Sequence, residues 1–334
     1  MNLSNQGVAF DLARSIWETI KSLNSEQRDE KLSHYYNKLL AGRTSVSWFE
    51  CEGLGNLKEQ IIQKEHVNPF QDKIPYTERD LTTTPVLRSG AELDESTYYL
   101  RFLYKDGTRR IMGEDIEVLP TTNTATVYVN EETEMIEVRA KPDEALKIAE
   151  VVAGYVRQQI TLNKYNFLAP FGSNVDAIAD ALDQGRLYES KAFPETWIET
   201  FSDQENEAIV NILSAIDQYY ENEQIDLLQE KLDEASVVLG EELLTSPFIA
   251  IILAGMGNVG LKVDESDLRS TVFYRLLSPY LQTSGGYIKF NVEIDNMNKE
   301  FSIQVGVDSK SVYFRSNKTT EEVIKEIRDK VIQV

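Results

Sequence analysis

Between Glu195 and Thr245 fourteen carboxylates stand against a single cation, Lys231. Its net charge of −13 is more than half of the chain's −21. Such a segment cannot be buried, because an unpaired carboxylate taken out of water costs several kcal/mol or more and gives up its charge instead. Yet Ile209, Leu213, Ile216, Tyr220, Leu227 and Leu228 recur at helical spacing, so one face is apolar and the other acidic. The segment is expected to form amphipathic helices that pack inward on their apolar side and turn their acids to solvent or to cations. It also divides the chain, with helices and a β-rich unit before it and a second β-rich unit after it.

The remainder reads as follows. Val8, Leu12, Ile16 and Ile20 mark a helix, and Asn24 or Ser25 can cap a second that runs through Leu32 and Leu39 to Gly42. Thr44 to Glu52 alternates poorly and suggests a short strand, followed by a short helix from Leu57 to Glu65. Asn68 to Glu95, with Pro69, Pro75, Pro85 and Gly90, reads as a linker or long loop. From Thr97, Tyr98, Leu100, Phe102 and Tyr104 alternate with Tyr99, Arg101, Leu103 and Lys105, and Asp106-Gly107 predicts a hairpin turn. Thr124–Asn130 and Glu134–Ala140 predict a second hairpin. Pro142, with Asp143 and Glu144 in the first turn, opens a helix that continues through Val156.

Ser173 is expected to cap a helix that stops at Gly185. Ser202 and Glu205 form a capping box, Asn222-Glu223 break the acidic layer in two, and Gly240 ends it. Ser266 is expected to cap a helix running to Leu277. Tyr287 to Ile294 alternates strictly. Phe301 to Val307 and Val312 to Arg315 add strands, and Thr319 to Glu322 predicts another capping box before a helix through Val331. Both β-rich units end in an amphipathic helix. No shared motif stands out between them, and hairpins commonly need a helix to cover one face.

The expected class is therefore α+β, with antiparallel β-hairpin units each followed by a covering helix and a central acidic all-helical layer. The expected division is an N-terminal helical region (1–67), a linker or long loop (68–95), a β-rich unit plus helix (96–160), the acidic helical layer (161–284) and a C-terminal β-meander plus helix (285–334). A chain of 334 residues exceeds the roughly 250–300 at which single cores stop growing, so more than one unit is expected. The start, MNLSNQGVAFDLARSIW, lacks the features of a secretory signal. The apolar run Pro247–Leu261 is too short to span a bilayer. Cys51 is the only cysteine, which leaves no internal disulfide and no cysteine-based zinc site. These features lead to the expectation of a cytoplasmic protein without a membrane segment.

Four constellations could carry chemistry. His34 and His66, the two histidines, are isolated, which argues against a Ser-His-Asp triad or a histidine metal site. Gly255-Met256-Gly257-Asn258-Val259-Gly260 matches the dinucleotide fingerprint, but that motif requires a helix from about Val259, and charged residues with a fresh cap at Ser266 follow instead. Arg101, Lys105, Arg109 and Arg110, interleaved with Tyr99 and other aromatics, could hold phosphates and stack bases. The plainer reading of these cations is a solvated hairpin paired with acids of the same protein. Glu137, Arg139 and Lys141, with Asp115 and Glu117 as further ligands, resemble a metal-nuclease strand in spacing alone. Arginine is a poor base, and a Glu137–Arg139 salt bridge is the simpler reading.

Net charge disfavours a general nucleic-acid coat. The expected function is thus an acidic macromolecular-interaction protein, a non-catalytic subunit or regulator that works through protein–protein contacts, needs no cofactor and presents Glu221, Glu223, Asp226 and Glu230 to a partner with a basic surface. Homo-oligomerisation is left open. The alternative is a nucleic-acid-binding or metal-dependent nuclease-type subunit using residues 97–141.

Overall fold

The strand Thr44–Glu52 (β1) is the seam of the molecule. In the computed structural model one antiparallel sheet runs in the order β2-β3-β4-β5-β1-β11-β10-β9-β7-β8, and β6 also pairs with β1. The structure describes residues 15–16, 18–20, 22–24, 26–28, 30–32, 35, 40–41, 44–77, 81–112, 116–156, 160–194, 202–222, 224–240, 259–263, 266–271, 274–275, 278 and 281–332, the side chains of 109–112, 116–120, 193–194, 206, 217, 220–221, 259–260 and 281–282 excepted. The N-terminal half of the sheet comprises β2 (Val86–Glu92), β3 (Thr97–Met112), β4 (Ile116–Asn130) and β5 (Met135–Arg139). The C-terminal half comprises β7 (Arg186–Pro194), β8 (Val259–Lys262), β9 (Leu281–Ile294), β10 (Met297–Gly306) and β11 (Ser311–Phe314). One edge of β1 meets β5; the other meets β11 over Thr44–Val46 and β6 (Thr161–Lys164) over Phe49–Glu52. One sheet thus draws strands from all five segments of the expected division.

Helices cover opposite faces of the two halves. Phe49 and Cys51 of β1 join Leu100, Val127 and Val138 in a core closed by α1 (Leu57–Glu65) and α2 (Pro142–Ala153) through Ile61, Ile148 and Val152. Val46 and Trp48, on the other side of the same strand, join Ile288, Ile303 and Val312 in a core closed by α3 (Val175–Ala181) and α6 (Glu321–Ile327) through Ile178, Val323 and Ile327. Alternation across β1 makes the two cores opposite faces of one sheet. Each half is therefore helix, four-strand antiparallel meander, helix: α1-β2-β3-β4-β5-α2 and α3-β7-β9-β10-β11-α6, with β8 added at the far edge.

The repeat extends to residue register. Tyr128 lies between Tyr99 and Glu137, and Gln304 lies between Tyr287 and Tyr313. One row further, Arg101 faces Thr126, and Lys289 faces Ser302. The Arg139 guanidinium lies 5.3 Å from the Tyr99 ring centre, and that of Arg315 lies 4.6 Å from Tyr287. Tyr99-Leu100-Arg101-Phe102 thus has its counterpart in Tyr287-Ile288-Lys289-Phe290.

The acidic segment forms a hairpin of α4 (Asp203–Asn222) and α5 (Ile225–Leu239) around Ala208, Ile209, Ile212, Ala235 and Leu239. The capping box closes, with the Ser202 amide donating to Glu205 Oε2 at 2.7 Å, and Gly240 ends α5 at φ +74°. Among the described residues no helix is long and apolar enough to cross a membrane.

Several expectations are corrected. Residues 161–284 are not all helical, because Arg186–Pro194 and Val259–Lys262 are strands of the sheet. Asn68–Glu95 is no free linker: β2 lies in it, the Gly90 amide donates to Pro69 O at 2.7 Å, and a Cβ at Gly90 would sit 2.5 Å from the Phe70 ring. Asp106-Gly107 is a bulge, not a hairpin, since β3 runs on to Met112 with its register slipped between Lys105 and Gly107. Asn174, not Ser173, caps α3, and Asp267, not Ser266, caps the short 3-10 turn Leu268–Ser270.

Candidate functional site

All five residues of β5 are buried, so its polar members cannot be solvated. Ile136 and Val138 enter the apolar core, which forces Glu137 and Arg139 to the opposite face. There Glu137 lies between Tyr128 on β4 and Trp48 on β1. Trp48 Nε1 donates to Glu137 Oε2 at 3.0 Å, Arg328 Nε to the same oxygen at 2.8 Å, and Arg139 Nε to Oε1 at 2.8 Å. Glu321 closes the network, accepting from Arg139 Nη2 at 2.9 Å and Arg328 Nη2 at 3.1 Å. Arg139 Nη1 donates to the Leu40 carbonyl, and the Arg328 guanidinium lies 3.8 Å from the centre of the Tyr128 ring.

Two carboxylates and two guanidiniums cancel in charge, which is how so polar a cluster is tolerated at 1% exposure of Glu137 and 4% of Arg139. Burial alone would raise the Glu137 carboxyl, but Arg328 and Arg139 overcome it and hold it at about 2. Burial would likewise lower Arg139, and Glu137 and Glu321 reverse that, so it is held above its ordinary value. The second expected capping box does not form because the helix starts one residue later than it requires: Thr320 is the N-cap, its N3 position is Val323, and its side chain makes no cap hydrogen bond.

Glu137 is therefore a permanently ionised acceptor whose two oxygens are filled by three N–H donors; it is unsuited to act as a base at neutral pH. Glu117 is not brought to it. Glu117 pairs with Ile111 on β3 whereas Glu137 pairs with Tyr128 on β4, and at ~3.3 Å per residue the two rows are roughly 35 Å apart along the strand. The Glu117 side chain and all of Asp115 lie outside the described residues. No group of three or more potential metal ligands occurs among the described residues.

The other anticipated residues separate into distinct settings. Arg101 is half-buried and gives its guanidinium to Thr126 Oγ1 and, at 2.8 Å, to Thr124 Oγ1; burial lowers its pKa. Tyr99 is buried beside Arg139 with its hydroxyl raised by burial, and Lys105 is half-buried. Arg109 and Arg110 lie at the far end of β3, their side chains outside the described residues. Asp226 and Glu230 are exposed on α5; Glu221 is on α4 with its side chain undescribed, and Glu223 lies outside the described residues. His66 is exposed at the end of α1, and His34 lies outside the described residues. Val259–Lys262 pairs with β7 as a strand, so the last glycine of the dinucleotide-like motif enters a sheet; Gly255 to Asn258 lie outside the described residues.

Lys141 is at the start of α2 and turns away from Glu137. Its side chain is 58% exposed and its ammonium lies 3.2 Å from Asp106, which the bulge at Gly107 brings to this rim. Beyond it, between the two halves of the sheet, opens a polar cleft of about 470 Å³ whose floor includes Ser45, Gln304, Ser311 and Tyr313. None of these, nor Trp48, Glu321 and Arg328, was singled out from the sequence. The signal that could have revealed them is the paired strand pattern at Tyr99 and Tyr287.

No protein-family model matches the chain, and no curated protein matches it.

Proposed function

We propose that this chain is an acidic, non-catalytic interaction protein of the cytoplasm, a subunit or regulator that engages a partner's basic surface through the α4–α5 hairpin. The observation that carries the reading is the hairpin itself: it packs on a small core of its own while Asp226, Glu230, Asp233 and Glu234 face outward. Aligned exposed charge of one sign speeds encounter with a complementary surface and does little for stability. The alternative, a nucleic-acid-binding or nuclease-type subunit built on residues 97–141, has less support, because Glu137 and Arg139 neutralise each other and Arg101 is held by threonines.

The test is a variant with Asp226→Asn, Glu230→Gln, Asp233→Asn and Glu234→Gln. A specific partner that co-purifies with the native chain at low salt should associate more slowly with the variant, and added salt should reproduce the effect on the native chain. A partner that binds the variant at the native rate in low salt would remove the hairpin from consideration.

A further inference from the structure

The two halves carry one row of residues each from their outer meander to β1. In the N-terminal half the row is Tyr99, Tyr128, Glu137, Trp48; in the C-terminal half it is Tyr287, Gln304, Tyr313, Ser45. The surrounding floor corresponds as well: Asn130, Thr133 and Met135 line the first site where Gly306, Ser309 and Ser311 line the second. The first site is packed shut. Trp48, Tyr128 and Arg328 leave a void of about 90 Å³, against about 470 Å³ in the second. One strand frame is thus filled once and left open once, by smaller side chains at most matching positions, Tyr313 in place of Glu137 being the exception. A chain able to close the site forgoes packing there, and departures of that kind concentrate where something binds.

We propose that the open cleft is a binding site for a sugar that carries one anionic group. Its size suits a small molecule. Its lining is rich in hydroxyls and amides, including Ser45, Ser311, Gln304 and Asn123, with Tyr313 as the one aromatic ring among the described lining residues. An apolar ligand would strand those groups without partners. Ser45 Oγ in the wall is buried without a hydrogen-bond partner, which points to a group still to be supplied. Among the described residues that line the cleft there is no carboxylate, and Lys141 stands at its rim with its side chain 58% exposed beside Asp106, 3.2 Å away. A cationic ligand therefore meets only a carboxylate already paired with Lys141, whereas an acidic group can share the exposed Lys141 side chain with Asp106. This inference is independent of the partner reading of α4–α5.

Calorimetric titration of the full chain with a panel of hexose and pentose phosphates and hexuronates tests it, with the matching neutral sugars and inorganic phosphate as further arms. At least one charged sugar should give a saturable heat, and whether phosphates or uronates do so identifies the acid. Its neutral counterpart and inorganic phosphate should bind about tenfold more weakly or worse, the scale of a hydrogen bond to a charged group. Lys141→Met should bring the charged sugar to the affinity of the neutral one. Gln304→Tyr, which copies Tyr128 into the cleft, should abolish binding in a folded protein; if that variant does not fold, Ser311→Met, which copies Met135, serves instead. Silence across the charged panel, neutral sugars bound as tightly as charged ones, or binding that survives the filled cleft would each overturn the proposal.

Discussion

Replacing Glu137 by glutamine keeps the side chain's size but turns one of its two acceptor oxygens into an N–H donor and removes one of two buried negative charges, so Arg139 and Arg328 face Glu321 alone. Breaking a buried pair by deleting one partner costs about 3–5 kcal/mol, since the charge left behind stays desolvated. The titration of Glu137 leads to a similar size independently. Its carboxyl is held at about 2 against an ordinary 4.5, a difference equivalent to about 3 kcal/mol at 1.36 kcal/mol per unit. The sign follows from the depression: the contribution is complete above the unfolded value and is lost as pH falls toward the folded one. Between pH 7 and pH 3.5 the native protein should lose ~1.4 kcal/mol of stability through this group alone, which the glutamine variant should not. Urea unfolding of both proteins across that range isolates the term, because every other carboxylate is common to the two. A cost below about 1 kcal/mol at pH 7, or a difference that stays flat down to pH 3.5, would refute the network as a structural strut. Pairing Glu137→Leu with Arg328→Met should recover much of the loss, as apolar replacement of a buried pair usually does.

Two further outcomes are expected. Cys51 is buried and its thiol is raised to about 11, by burial and then by the nearby Glu134 carboxylate, so alkylation at pH 8 should be slow in the native protein and complete in denaturant; rapid native labelling would contradict its placement. Gly240→Ala, at a positive φ with open space around it, should cost about 1 kcal/mol or more from backbone conformation alone. Amide exchange should speed at the end of α5 and not in β9–β11, and uniform acceleration would show that the hairpin unfolds only with the sheet.

The features legible in the sequence were those fixed locally. The break after Asn222, the stop at Gly240 and Pro142 at the head of α2 depend on neighbours in the chain and are found where expected, and the strictly alternating stretch Tyr287–Ile294 is a strand that starts earlier, at Leu281. β1 alternates poorly because Val46 to Phe49 are buried on both faces, as befits a strand in mid-sheet. β7 escaped notice for a different reason: a bulge between Leu187 and Glu189 puts Tyr188 out of phase and erases the period of two. Asp106-Gly107 suits a tight turn and a bulge equally, and only the length of β4 decides between them. The polar network was half visible. Glu137 and Arg139 are two residues apart and could be paired by inspection, whereas Arg328, Glu321 and Trp48 arrive from distant segments through the fold. The cleft was invisible for the same reason, since its walls come from β1, the end of β5 and the β10–β11 turn.

The position of β1 also bears on synthesis. Ser311–Phe314, which covers the edge of β1 at Thr44–Val46, is translated about 260 residues after β1. At about 5–20 residues per second, some 10–50 s separate the two events. During that interval the nascent N-terminal half can assemble β2 to β5 against β1 while three residues of strand edge stay bare. A second ribosome on the same message offers a matching edge, and bare edges pair with one another. Ribosomes stalled before residue 311 should therefore yield cross-linked pairs of nascent chains through this edge, and translation past residue 314 should resolve them as β11 takes its place.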